Sequence, residues 1–80
     1  MSFREFNGQR IEVLDFDDVT SDERVIEFRD PDSSSQESLI AVVIPHDGWP
    51  AAIVSLNPRI AGVSADLMEW AIGIARSLAG

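Results

Sequence analysis

The chain has 80 residues, a net charge of −8, and neither cysteine nor lysine. The missing residue types exclude disulfides, thiolate nucleophiles, Cys-based zinc sites, lysine Schiff bases and phosphate-loop lysines. The negative charge disfavours direct binding to nucleic acids or anionic membranes and favours a basic surface on another protein, although it also suits solubility alone. With no apolar run long enough for a membrane span and no signal-peptide pattern, we expect one small cytoplasmic domain over residues 1–80.

The first predicted hairpin is marked by Asn7 and Gly8. A type I′ turn needs a positive φ at both central residues, which this pair accepts readily. Such a two-residue loop places Glu5 opposite Arg10 as a cross-strand charge pair. The first arm, residues 3–6, is short and predicts an edge strand.

A solvated acidic loop is predicted at residues 15–23, between the second strand and a third strand at residues 24–29. Its five carboxylates are Asp15, Asp17, Asp18, Asp22 and Glu23. The stretch lacks the glycine and the twelve-residue ligand pattern of a calcium loop, so we expect no metal ion and no other cofactor. We interpret these carboxylates as candidates for binding the basic surface of a partner protein.

The most apolar run, residues 39–44, lacks alternation and predicts a central strand that is covered on both faces. A proline-bounded turn at residues 45–50 and a further strand at residues 51–56 follow. Within that turn, Trp49 is expected either to pack over the end of the core or to act as a partner-binding anchor. His46 beside Asp47 belongs to no nucleophile motif, so no catalytic residue is predicted and we expect His46→Ala to leave any activity intact.

Residues 64–80 predict an amphipathic helix, with Ser64 as the N-cap and Gly80 just past the C-terminal end. The fold class is therefore α+β. The expected architecture is a four- to five-stranded antiparallel meander sheet followed by one C-terminal amphipathic helix packed on one face.

The apolar arc of this helix is wider than one sheet contact requires. One stripe, expected to suffice for the sheet, consists of Leu67, Ala71, Ile74 and Leu78. The second stripe, predicted to serve self-association, consists of Met68, Ile72, Ala75 and Ala79. Together with strands that are apolar on both faces, this surplus predicts a homodimer through the helix face, the open sheet face or both; the alternative is that loops fold back over it.

No motif identifies an activity, and three functions remain open. The composition favours a small acidic protein-binding module, such as an inhibitor or an immunity or antitoxin-type protein. The alternative is a structural or accessory subunit that self-assembles through its apolar faces. A small-molecule binder or an enzyme comes third, because no reactive side chains form a recognisable pattern, and we therefore expect a protein that is not an enzyme.

Overall fold

The structure is a computed structural model that describes residues 2–32, 37–60 and 62–80. Five strands form one antiparallel sheet in the order of the chain, and a single helix follows them. The elements are β1 (Ser2–Phe6), β2 (Gln9–Asp18), β3 (Glu23–Arg29), β4 (Ser38–Ile44), a 3₁₀ turn (Trp49–Ala51), β5 (Ile53–Leu56) and α1 (Ala65–Ala79). The helix packs on one face of the sheet, so the predicted α+β meander is confirmed.

The hairpin that joins β1 to β2 has the predicted turn and register. Asn7 and Gly8 have φ values of 49° and 80°, and Glu5 lies opposite Arg10. This register places Phe6 on the helix side of the sheet, where its ring centroid lies 5.2 Å from that of Trp70. β1 is an edge strand, as its short length indicated.

Most of the acidic stretch is strand, so the prediction of a loop over residues 15–23 is wrong. β2 continues to Asp18 and pairs with β3 to its end, where Asp17 lies opposite Arg24 and Asp18 opposite Glu23. Alternate side chains of a strand point to opposite faces. Asp15 and Asp17 therefore lie on the helix side of the sheet and Asp18 on the other, so this end of the hairpin carries carboxylates on both faces.

The core lies between the helix and the middle of the sheet. Its buried side chains are Ile11, Val13, Ile26, Phe28, Ile40, Val42, Ile44, Ala71 and Ala75. Burial of each large apolar side chain contributes about 1.5–3 kcal/mol relative to exposure. The expectation that residues 39–44 are covered on both faces is wrong, because Ala41 and Val43 point away from the helix and are only half-buried.

The helix begins and ends as predicted. The Oγ of Ser64 accepts a hydrogen bond from the backbone N–H of Leu67 at 3.1 Å, and Gly80 has a φ of 90° at the C-terminal end. Ala71 and Ala75 have no exposed surface. Because both side chains are small, the helix backbone lies close to β4, and the larger apolar residues on either side reach down towards the sheet.

Candidate interaction surfaces

The structure brings the five predicted carboxylates to one end of the sheet, and we call residues 15–24 the acidic hairpin. Four of these carboxylates lie on paired strands, and the fifth lies in the turn between them. An open groove of about 370 Å³ lies at this end of the sheet. Its lining residues are Asp17, Asp18, Val19, Asp22, Glu23, Arg24, Ile44 and Pro45.

Asp15 is the most tightly held of these five carboxylates. Its Oδ1 accepts from Nε of Arg24 at 2.9 Å, and its Oδ2 accepts from Nη2 of the same guanidinium at 2.6 Å. These hydrogen bonds lower the pKa of Asp15 from its ordinary value. The two-pronged pair fixes both side chains on the helix side of the sheet, so Asp15 is the least available of the five to a partner.

The other carboxylates are held less tightly. Oδ1 of Asp18 accepts from the backbone N–H of Thr20 at 3.0 Å, which orders the start of the turn. Asp22, with a φ of 58°, lies 3.3 Å from Nδ1 of His46, and both side chains are more than four-fifths exposed. Such an exposed contact contributes little. Asp17 and Glu23 form no ion pair with any described residue.

The acidic hairpin does not gather its oxygen atoms around one point. Asp17 and Asp18 are neighbours on one strand and therefore point to opposite faces of the sheet. Within residues 2–32, 37–60 and 62–80, no three histidine, aspartate or glutamate side chains converge on a position for a metal ion. The arrangement presents negative charge to both sides and suits recognition of a surface better than chelation.

The contact of His46 is with Asp22, which lies in the turn between β2 and β3, instead of with the adjacent Asp47. Ser55 lies opposite Ala41, about 10 Å along the strand from the end of β4, and His46 comes after that end. The serines at positions 33–35 lie outside the described residues.

Trp49 lies at the edge of the core, in the 3₁₀ turn between β4 and β5. It is half-buried and packs against the core residues. The Arg76 guanidinium carbon lies 6.0 Å from its ring centroid, within reach of a cation–π contact. Of the two arrangements expected from the sequence, packing over the end of the core is the one present in the structure. A contribution to partner binding stays a prediction.

The leftover helix stripe predicted from the sequence is partly inside the core. Ala75 is fully buried, and Met68 and Ala79 pack against the buried residues. Ile72 is half-buried. The helix faces the sheet with the middle of its wide apolar arc instead of one margin, so the division into a sheet stripe and a free stripe is wrong. Self-association itself stays a prediction, to which Ala75 cannot contribute a contact because it is fully buried.

Uncovered apolar surface lies instead on β5, the last strand of the sheet. The exposed fraction is 66% for Ile53, 37% for Val54 and 46% for Leu56. The sequence predicted a strand that is apolar on both sides except at Ser55, and the uncovered faces of such strands were part of the homodimer prediction. The structure adds that this strand lies at the edge of the sheet, because it is the last strand of the meander.

The face of the sheet that points away from the helix has two distinct parts. A row of apolar side chains crosses four strands, from Phe16 through Val25 and Val43 to Ile53. Nearby, Oε1 of Glu27 accepts from Arg29 at 3.1 Å and from the Ser38 hydroxyl at 2.7 Å. This polar cluster was not predicted, because its members come from two strands and their contact depends on register.

No family model matches this chain, and neither a curated protein nor a solved structure shows significant similarity to it. In the described ranges, no helix combines the length and the apolar content needed to cross a membrane. The acidic hairpin and the exposed apolar strand β5 are the two surfaces of the described residues that distinguish this chain.

Proposed function

We propose that this protein is a small cytoplasmic protein-binding module whose acidic hairpin engages a basic surface on a partner protein. The proposal rests on one observation. The end of the β2–β3 hairpin carries five carboxylates and a single arginine. Only Asp15 is committed to that arginine. In its narrower form, the proposal is an inhibitor or an immunity or antitoxin-type protein without enzymatic activity.

The strand placement of the carboxylates supports this proposal. Asp17, Asp18 and Glu23 lie on paired strands, so little backbone conformational entropy is lost when they meet a partner. A cluster of like charge on a chain of net charge −8 steers a basic partner and raises the association rate.

An apolar contact is available among these charges. Val19 at the tip of the hairpin is 91% exposed, and Ile44 and Pro45 line the same groove. Affinity in protein interfaces comes chiefly from a few desolvated anchors, while surrounding charges set orientation and rate. The expected partner surface therefore carries arginine or lysine side chains around a small apolar contact.

The test uses two variants with the same change in net charge. Asp17→Asn with Asp18→Asn removes two charges from the acidic hairpin, and asparagine retains the Oδ1 acceptor for Thr20. Asp66→Asn with Glu69→Gln removes two charges from the exposed side of the helix. Each immobilised protein captures binding proteins from cell lysate, and the association rate of each captured protein is measured against salt concentration.

We expect basic proteins that bind the wild type and the helix variant but associate at least about tenfold more slowly with the hairpin variant. The association rate should fall as salt increases. Equal binding by all three proteins, or equal loss in both variants, would contradict the proposal.

A structural or accessory subunit that self-assembles is the second candidate function. It is favoured by the exposed apolar residues of β5. An enzyme or small-molecule binder has no comparable observation in its favour.

A further inference from the structure

We propose that β5 pairs edge to edge with β5 of a second copy of this chain. The two strands would run antiparallel about a twofold axis that passes through Ser55 perpendicular to the sheet. The two sheets would then form one continuous sheet with both helices on the same side. This inference does not depend on the acidic hairpin, which lies on β2 and β3.

The hydrogen-bond pattern of β5 determines which groups face the open edge. The N–H of Asn57, just after the strand, donates to the carbonyl of Leu39 on the β4 side at 3.4 Å. In an antiparallel ladder, bonding groups alternate along the strand. Ile53 and Ser55 therefore direct their N–H and C=O groups towards β4, and Val54 and Leu56 direct theirs outwards.

Antiparallel pairing around Ser55 uses all of these outward groups. Val54 lies opposite Leu56 of the second copy, and the second copy's Val54 lies opposite Leu56, so each pair exchanges two hydrogen bonds. If the axis passed through Val54 instead, Ala52 would have to exchange hydrogen bonds with Leu56 of the second copy. The N–H of Ala52 already donates to the Trp49 carbonyl at 2.9 Å. The register centred on Ser55 is the better matched of the two.

Side chains fit the same register. Val54 and Leu56 both point to the helix side, because their partners in β4, Val42 and Ile40, are core residues. A twofold axis perpendicular to the sheet keeps the helix side of one copy on the same side as the helix side of the other. Val54 therefore meets Leu56 of the second copy, which is 46% exposed in the single chain. The axis brings the two small Ser55 side chains together on the opposite face.

The absence of charge on β5 lets a second copy approach this edge without local repulsion. Two chains of net charge −8 repel each other wherever their carboxylates approach, and β5 has no charged residue. The nearby Glu37 is already paired with Arg59 at 2.8 Å and accepts from Asn57 at 3.2 Å. A basic partner, by contrast, would gain nothing electrostatic from this strand.

The length of β5 sets the strength of the association. Four residues bury less area than a stable protein interface of about 1,200–2,000 Å². The dimer is therefore weak and depends on concentration in the micromolar to millimolar range.

Sedimentation equilibrium over that concentration range tests the proposal, with far-UV circular dichroism as the check on folding. Val54→Lys places a charge at the edge. Leu56→Pro removes an outward N–H and spares the hydrogen bonds to β4, which an edge strand tolerates. Phe3→Lys is the matched control, because Phe3 is 49% exposed on the opposite edge strand and lies beside Glu12.

We expect the wild type and Phe3→Lys to dimerise and each β5 variant to dimerise at least about tenfold more weakly. The hairpin variant Asp17→Asn with Asp18→Asn should dimerise at least as well as the wild type, which separates this proposal from partner binding. A wild type that remains monomeric at millimolar concentration would overturn the inference. So would a dimer that both β5 variants leave unchanged, since it would use another surface.

Discussion

The two edge strands of the sheet have similar exposure and different chemistry. In β1, Phe3 is 49% exposed, and in β5, Leu56 is 46% exposed. β1 also carries Arg4 and Glu5, whereas β5 has no charge at all. Charged side chains on an edge strand discourage pairing with another chain. Exposure alone therefore does not distinguish the two edges, and the absence of charge is the property that singles out β5 as the proposed contact edge.

The same contrast appears along one row of the sheet. Val13, Phe28, Ile40 and Leu56 lie side by side on four adjacent strands and point to the helix side. The first three are buried, and Leu56 is not. The helix covers the row only as far as β4, so the last apolar side chain of the row is left for another contact.

The largest expected change in stability comes from substituting one of two residues in this row. Phe28→Ala should lower the free energy of unfolding by about 3–5 kcal/mol, because it removes a fully buried ring and leaves a cavity. Leu56→Ala should change it by no more than about 0.5 kcal/mol at concentrations where the chain is monomeric. Urea denaturation measures both. A large loss for Leu56→Ala would mean that β5 is covered within the chain.

The next prediction concerns the turn that joins β1 to β2. It compares substitutions of two glycines. Gly8 has a φ of 80° in the turn, so Gly8→Ala should destabilise the fold by about 1 kcal/mol. Gly73 is exposed on the helix, and a Cβ there would meet nothing within 4 Å. Gly73→Ala should therefore stabilise the fold by about 1 kcal/mol. Thermal unfolding of both variants checks the opposite signs; equal signs would contradict this account of the turn.

A smaller effect is expected from pH at the ion pair of the acidic hairpin. The pKa of Asp15 is lowered in the folded state from its ordinary value of 3.8. The pair therefore stabilises the fold above that ordinary value, and the contribution is lost as pH falls through the lowered pKa. Because both groups are partly exposed, we expect no more than about 1 kcal/mol.

Carbon-detected NMR titration of Asp15 checks this assignment. Arg24→Met should raise the pKa of Asp15 towards its ordinary value, because it removes both hydrogen bonds. Arg59→Met, which removes a guanidinium that contacts Glu37 instead, serves as the control and should leave Asp15 unchanged. An unchanged Asp15 in the Arg24 variant would contradict the assignment.

The smallest expected change in stability comes from removing the charges of β1. Arg4→Thr with Glu5→Thr should alter the free energy of unfolding by no more than about 0.5 kcal/mol. It should nevertheless make β1 prone to pairing, because the edge then lacks charge as β5 does. Light scattering would detect species larger than a dimer. If the variant assembles as the wild type does, charge does not protect β1.

Local signals in the sequence predicted much of the fold. Asn7 and Gly8 specify their turn by backbone conformation, and Ser64 specifies the helix start by its side-chain hydrogen bond. Short connections between strands then lead to a meander. The candidate carboxylates were also predictable, because five of them occur within nine residues.

Features that depend on how elements pack were not predictable. The helix contacts the sheet through Ala71 and Ala75, and a wide apolar arc does not reveal which part of it faces the core. The extent of β2 was missed because aspartates disfavour strands in general, whereas in this strand Asp15 is paired with Arg24 and Asp17 is exposed. The exposure of β5 follows from its place at the end of the predicted meander and from the position of the helix, and only the second of these was not predictable.

β5 is proposed above as the contact edge of this protein. Residue-resolved amide hydrogen exchange at increasing protein concentration tests this claim. We predict that the amides of Val54 and Leu56 exchange more slowly as concentration rises, while the amides of Ser55 and of β1 keep their rates. Rates at Val54 and Leu56 that do not depend on concentration, or a dependence confined to β1, would contradict the claim.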